Sequence, residues 1–245
     1  MISLIFSRKT VATLSAVFCL WSAQTSAVPV TDDYDTPSAS PTMIISTTGG
    51  EQTLTEYTGS APINAHFKAN VENEGMYTPL YEWNIYKAGH EDSPYLVRHD
   101  AEFDYQFMES GKSYISLQIS FVNGNDTIDY TMTTPFMVDG ETSVLSVPNA
   151  FSPNNDGTNE IFGVKKEGYQ SIVEFHGYIF NRHGKKLYEW TDITGGWDGT
   201  YHGHPVADGA YYVRIDAKGA DGKRYHIKKA VNLLRGYTKN SAAGN

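Results

Sequence analysis

VPNAFSPNNDGTNEIF (147–162), IFNRHGKKLYEW (179–190) and GGWDGTYHGHPVADGAYYVRI (195–215) carry the reading of this chain. Aromatic and apolar runs of strand length are broken at short intervals by Asn-Asp-Gly, Trp-Asp-Gly and Ala-Asp-Gly. Gly157, Gly199 and Gly209 each follow an Asp, the pair favoured where a tight turn needs positive φ. The Asp side chain fixes such a turn by accepting backbone N–H bonds, and Pro153 presets φ ahead of another. Tyr211, Val213 and Ile215 alternate with Tyr212, Arg214 and Asp216, the period of a half-buried strand. Residues 224–234 supply a final strand. With no sustained helical repeat, this spacing predicts an antiparallel β-sandwich over 147–236 with a polar tail at 237–245.

Upstream the same logic predicts a second sandwich over 42–140. In 114–121, Ile115, Leu117, Ile119 and Phe121 alternate with Tyr114, Ser116, Gln118 and Ser120, so one face is buried and the other solvated. Asn123-Gly124-Asn125-Asp126 is a turn, and 63–69 and the aromatic run LYEWNIY (80–86) read as further strands. Polar residues 141–146 read as a short linker. The fold class is therefore all-β: two consecutive antiparallel β-sandwiches.

Arg8 and Lys9, the apolar run 11–21 and Thr25-Ser26-Ala27 have the layout of a secretory signal peptide over 1–27, cleaved after Ala27. Phe18 is too large to precede a lipidated Cys19. Residues 28–41, rich in Asp, Ser, Thr and Pro, read as a linker. The 245 residues hold 17 Tyr, a single Cys and 19% charged residues. Cleavage removes that Cys, so the exported chain relies on its cores rather than on disulfides. Residues 28–143 carry 4 Lys+Arg against 18 Asp+Glu, and 144–245 carry 13 against 10. The acidic front half argues against nucleic acid as a partner.

Two resemblances follow from these residues. Asn149-Ala150-Phe151-Ser152-Pro153-Asn154, Asp156-Gly157, Asn181-Arg182-His183-Gly184, Trp197-Asp198-Gly199 and Asp208-Gly209-Ala210-Tyr211 stand in order. Together they resemble the gliding-motility-associated C-terminal domain, the type B sorting domain of the type IX secretion system of Bacteroidota. His183 stands where that family usually has Trp, and a few residues follow Arg235. The resemblance implies Sec export to the periplasm and then passage to the outer surface or medium, with the type IX machinery as partner. Most of these residues also have a structural reading, in which Trp197 covers one end of the core and Arg182 pairs with a carboxylate or carbonyl there. The front region is similar to PKD-like, Ig-like modules in Phe67-Lys68-Ala69, Tyr81-Glu82-Trp83, Phe107 and the run from Gly111 to Leu117, which implies a Trp83 packed between sheets.

Chemistry is sparse. Asn154, Asp156, Asn159 and Glu160 are closely spaced oxygen ligands that could take calcium, but they depart from an EF-hand, and an Asx-stabilised turn is the favoured reading. His202 and His204, with His176 and His183 elsewhere, lack zinc spacing. No Gly-x-Ser-x-Gly elbow and no phosphate loop occurs. Acidic pairs such as Glu72 and Glu74 read as solvated charge. Asp126-Thr127-Ile128 resembles the O-glycosylation site of exported Bacteroidota proteins, with Thr127 as acceptor; a hairpin turn is the other reading. Tyr57, Tyr77, Tyr86, Tyr95 and Tyr105 could offer stacking faces. The expected function is non-enzymatic: an exported protein with a small binding or structural cargo module and no cofactor. A glycan- or protein-binding adhesin and, remotely, a small hydrolase are the alternatives.

Overall fold

The computed structural model describes residues 36–236. The expected signal peptide, most of the 28–41 linker and the 237–245 tail lie outside them. All regular structure among the described residues is strand, apart from a single 3-10 turn at Lys166–Gly168. No helix among them is long and apolar enough to cross a membrane.

The front sandwich packs two sheets face to face. One runs Gly50–Leu54, Thr42–Thr47, Ile63–Lys68, Glu102–Phe107. The other runs Glu56–Gly59, Phe136–Gly140, Gly111–Asn123, Thr78–Lys87, Leu96–Arg98, with Asp126–Thr131 on the far half of Gly111–Asn123. Only Glu56–Gly59 joins its neighbour in parallel. Ile115, Leu117, Ile119 and Phe121 are all buried, as their alternation requires. Trp83 lies at the centre between the sheets. Its ring tilts 5.9 Å from Phe67 and meets the edge of Phe103 at 5.6 Å. Its indole N–H is satisfied by the Asp100 carbonyl at 3.1 Å.

The rear sandwich is lopsided. Ala150–Phe151, Arg224–Leu233, Gly209–Gly219, Ile172–Phe180 and Lys186–Trp190 form one continuous sheet. The opposing layer is in pieces: two-residue ladders pair Phe162–Gly163 with Gly196–Trp197, and Val144–Leu145 with Tyr169–Gln170. Its segments lie between the closely spaced Asp, Asn and Gly turns, which leave no length for a full strand. A Cβ on Gly163 would meet the Gly195 carbonyl at 2.5 Å, and one on Gly196 would meet that of Phe162 at 2.5 Å, so glycine alone allows this ladder to close. Phe162, Trp197, Ile179, Ile215, Val231 and Leu233 fill the core.

The segment expected as a linker is part of the rear unit. Val144–Leu145 is a strand. The Ser143 hydroxyl donates to Asp221 at 2.7 Å and its carbonyl accepts from the Tyr225 hydroxyl at 2.9 Å. That Ser143 hydroxyl bond is the chief reason the Asp221 carboxyl is held below its ordinary range. At the other end of the front unit, Ser38–Ala39 already pairs with Val71–Glu72. The sandwiches also bond directly. The Ala61 N–H donates to the buried Ser171 hydroxyl at 3.1 Å, the Ser171 N–H to Ser60 at 2.6 Å, and the Ser110 N–H to the Ala220 carbonyl at 3.0 Å. Both partners of each bond sit at the junction, so separating the sandwiches would expose buried polar groups.

Candidate functional site

The Asp-Gly turns cluster at one end of the rear sandwich. Trp197 is fully buried there, 5.4 Å from Phe151 and edge-on to Tyr211 at 5.0 Å. Its indole N–H donates to the Thr200 carbonyl at 2.7 Å. The Asp198 carboxylate accepts both the N–H and the hydroxyl of Thr200, at 2.9 and 2.8 Å, closing the turn in which Gly199 has φ +79°. The Tyr211 hydroxyl donates to the Ala207 carbonyl at 2.6 Å. Pro153 packs against Gly199.

The arginine that ties these turns is Arg235. Its guanidinium donates to the Val206 carbonyl at 2.5 Å, to Asp208 at 2.9 Å and to the Gly199 carbonyl at 3.0 Å, while its backbone N–H donates to Asp208 at 2.8 Å. The fork geometry of guanidinium serves three acceptors at once. Arg182, expected in this role, lies elsewhere. It is exposed in the hairpin after Ile172–Phe180, and its Nε donates to His183 at 3.2 Å. In that hairpin the Asn181 side-chain oxygen accepts the N–H groups of His183 and Lys185, at 2.9 and 3.0 Å, and Gly184 takes φ +78°.

The oxygen-rich loop is built inward. The two Glu160 oxygens accept the N–H groups of Asn155 and Gly157, at 2.9 and 3.0 Å. Asp156 accepts the Thr158 N–H at 2.8 Å and Asn154 accepts the Asp156 N–H at 3.1 Å, while Asn159 accepts from Lys165. A cation would have to displace these donors. No group of three or more His, Cys, Asp or Glu among the described residues is placed to hold a metal. His176 is bonded to Glu189 and Tyr178, and His202 lies edge-on to Tyr201.

The five front-module tyrosines do not line one common depression, although Tyr95 and Tyr105 share one with Lys87 and Met108. Tyr86 is buried against Tyr114, Tyr105 packs edge-on to Phe107 and Tyr57 lies partly buried against the core. Tyr77 donates to Asp126 at 2.6 Å. Tyr95 donates to Ser113 at 3.0 Å, and burial pushes its phenol up to about 12.

One depression of the front sandwich was not legible in the sequence. It lies on the outer face of the four-stranded sheet and has a volume of about 710 Å³. Register aligns Ile44, His66 and Asp104 in one row, and Ser46, Asn64 and Gln106 in the next. His66 bonds Asp104 at 2.8 Å and Gln106 donates to Asn64 at 2.8 Å, which fixes both rows.

Residues 145–231 match the family model described as the CHU_C type IX secretion signal domain. That match supports a secreted protein directed by the type IX system. No curated protein matches the sequence. Among solved structures, dimeric latent PorU from Porphyromonas gingivalis aligns at 14% identity and TM-score 0.25, covering 83% of this chain and 21% of that one. The SGBP-B protein of the Bacteroides ovatus mixed-linkage glucan utilization locus, in complex with a mixed-linkage heptasaccharide, aligns at 14% identity and TM-score 0.24. That alignment covers 73% of this chain and 42% of that one. The chain spans less than half the length of either.

Proposed function

We propose that this is a non-enzymatic binding protein shown on the cell surface or released, with the front sandwich as cargo and the rear one as its export determinant. The observation behind the binding role is the outer-sheet depression of the front module. Asn64, Gln106, His66 and Ser46 present both donors and acceptors on a rigid sheet, an array suited to the hydroxyl groups of a glycan. Glu51 and Asp104 beside them disfavour an anionic ligand. Neutral-polysaccharide pull-down and calorimetry with the full chain test this. His66→Ala and Gln106→Ala should each weaken binding about tenfold, the scale of a lost well-placed polar contact. Failure of the wild-type chain to bind any glycan tested would sink the reading. For export, a chain lacking 144–245 should stay in the periplasm.

Thr127 fits the role of glycan acceptor in its own right. It is exposed beside the Asn123–Asp126 turn, on a strand that pairs, among the described residues, with Gly111–Asn123. Intact-mass spectrometry of the native protein should give an added glycan that Thr127→Ala removes. An unmodified Thr127 peptide would refute it.

A further inference from the structure

The signature residues of the rear sandwich divide by what they touch. Asn181, Trp197, Asp198, Asp208 and Tyr211 direct their polar atoms into the fold. Arg182 does not. Among the described residues its side chain bonds only the adjacent His183. An exposed arginine without a structural partner, inside an otherwise structural signature, is available to another molecule.

Its surroundings suit that use. Across the outer face of the five-stranded sheet, register sets Phe180, Tyr212 and Ala230 side by side, and Tyr178, Arg214 and Lys228 in the next row. Phe180, Arg182, Tyr212, Arg214 and Lys228 help line a depression of about 550 Å³. Tyr212 is 49% exposed. The rings of Tyr178 and Phe180 stack at 6.2 Å, with the Arg214 guanidinium 5.9 Å from that of Tyr178. The carboxylates of this face are already engaged: Asp216 by Arg214 and His226, Glu189 by Lys186 and His176, Glu174 by Lys218. Arg182 and Lys228 have no acidic partner among the described residues.

We propose that this end of the sheet, centred on Arg182, Tyr212 and Lys228, is the surface by which the export machinery holds the domain, and that it takes a carboxylate-bearing protein surface. The proposal rests on the secretion-signal reading of 145–231. An aromatic shelf beside arginine is the composition of an interface centre. Guanidinium forks a carboxylate, and two uncompensated cations call for a few such groups. A nucleic acid or an anionic lipid layer would call for a denser basic patch.

The full chain is expressed in a cell with a working type IX system, and exported and periplasmic protein are measured with the Tm of each purified variant. The triple variant Arg182→Ala, Tyr212→Ala, Lys228→Glu should keep the wild-type Tm and lower the exported-to-periplasmic ratio about tenfold or more, as loss of interface anchors does. Arg182→Lys should fall between, because it keeps the charge and loses the fork. Arg224→Glu, farther along the same sheet face, should be exported normally. Wild-type export of the folded triple variant, with the 144–245 deletion retained in the periplasm, would overturn the surface and leave the secretion reading standing. Export of the deleted chain would overturn the secretion reading itself. A salt-sensitive oligomer of the wild-type chain that the triple substitution disperses would also overturn the proposal, by giving the face to a second copy.

Discussion

Trp197→Ala should cost the rear sandwich about 3–5 kcal/mol, the range for deleting a buried aromatic ring. The ring is fully buried and its neighbours Phe151 and Tyr211 are themselves held by the five-stranded sheet, so the site has little freedom to collapse. The Thr200 carbonyl would also lose its donor. A domain of this size has a stability of about 5–15 kcal/mol, so the loss removes much of it. Urea unfolding followed by circular dichroism measures the effect. Trp197→Phe should recover part of it by filling volume without the indole N–H. A loss below about 1 kcal/mol for Trp197→Ala would mean that the ring is not what closes this end of the core.

Arg235→Ala should cost about 2–3 kcal/mol, less than the nominal sum of its charge-assisted bonds because Asp208 is partly solvated. The substitution takes the side-chain donor from the Val206 and Gly199 carbonyls, of which Gly199 keeps the Val206 N–H at 3.0 Å, and releases Asp208 from one of its two Arg235 bonds. Arg235→Lys should restore only part, since an ammonium can meet Asp208 but cannot fork across three acceptors. Hydrogen exchange over 197–209 locates the damage: these amides should lose protection before those of Gly209–Gly219. Unchanged exchange there in Arg235→Ala would show that the turns hold without the clamp.

The exchange of roles between Arg182 and Arg235 shows where reading a sequence stops. The Asp-Gly turns are local, since Asp198 reaches only to Thr200 and Asn181 only to His183 and Lys185. Residue type and spacing are enough to find them. Arg235 reaches 36 positions back to Gly199, and no local pattern marks that contact. The same holds for the oxygen-rich loop. Its ligand inventory is visible in Asn154, Asp156 and Glu160, whereas the direction of those oxygens toward backbone N–H groups depends on loop conformation.

The sequence by itself determined the all-β class, the buried alternation of Ile115 to Phe121, the core positions of Trp83 and Trp197, and the resemblance of 147–236 to a sorting domain. Each follows from a period of two, a turn pair or an ordered set of residues, all of which are short-range properties. Only the tertiary structure decided the rest. It drew Val144–Leu145 into the rear sandwich, broke that sandwich's second layer into pieces and assembled the polar rows around His66 and Gln106. These depend on which strands become neighbours and in what register, and the partners are set by the packing of residues far apart in the chain. The stretch from Asn181 to Gly184 divides between the two: its turn is local, and the aromatic, cationic surface beside Arg182 exists only because Tyr212 and Lys228 are brought to it by the sheet.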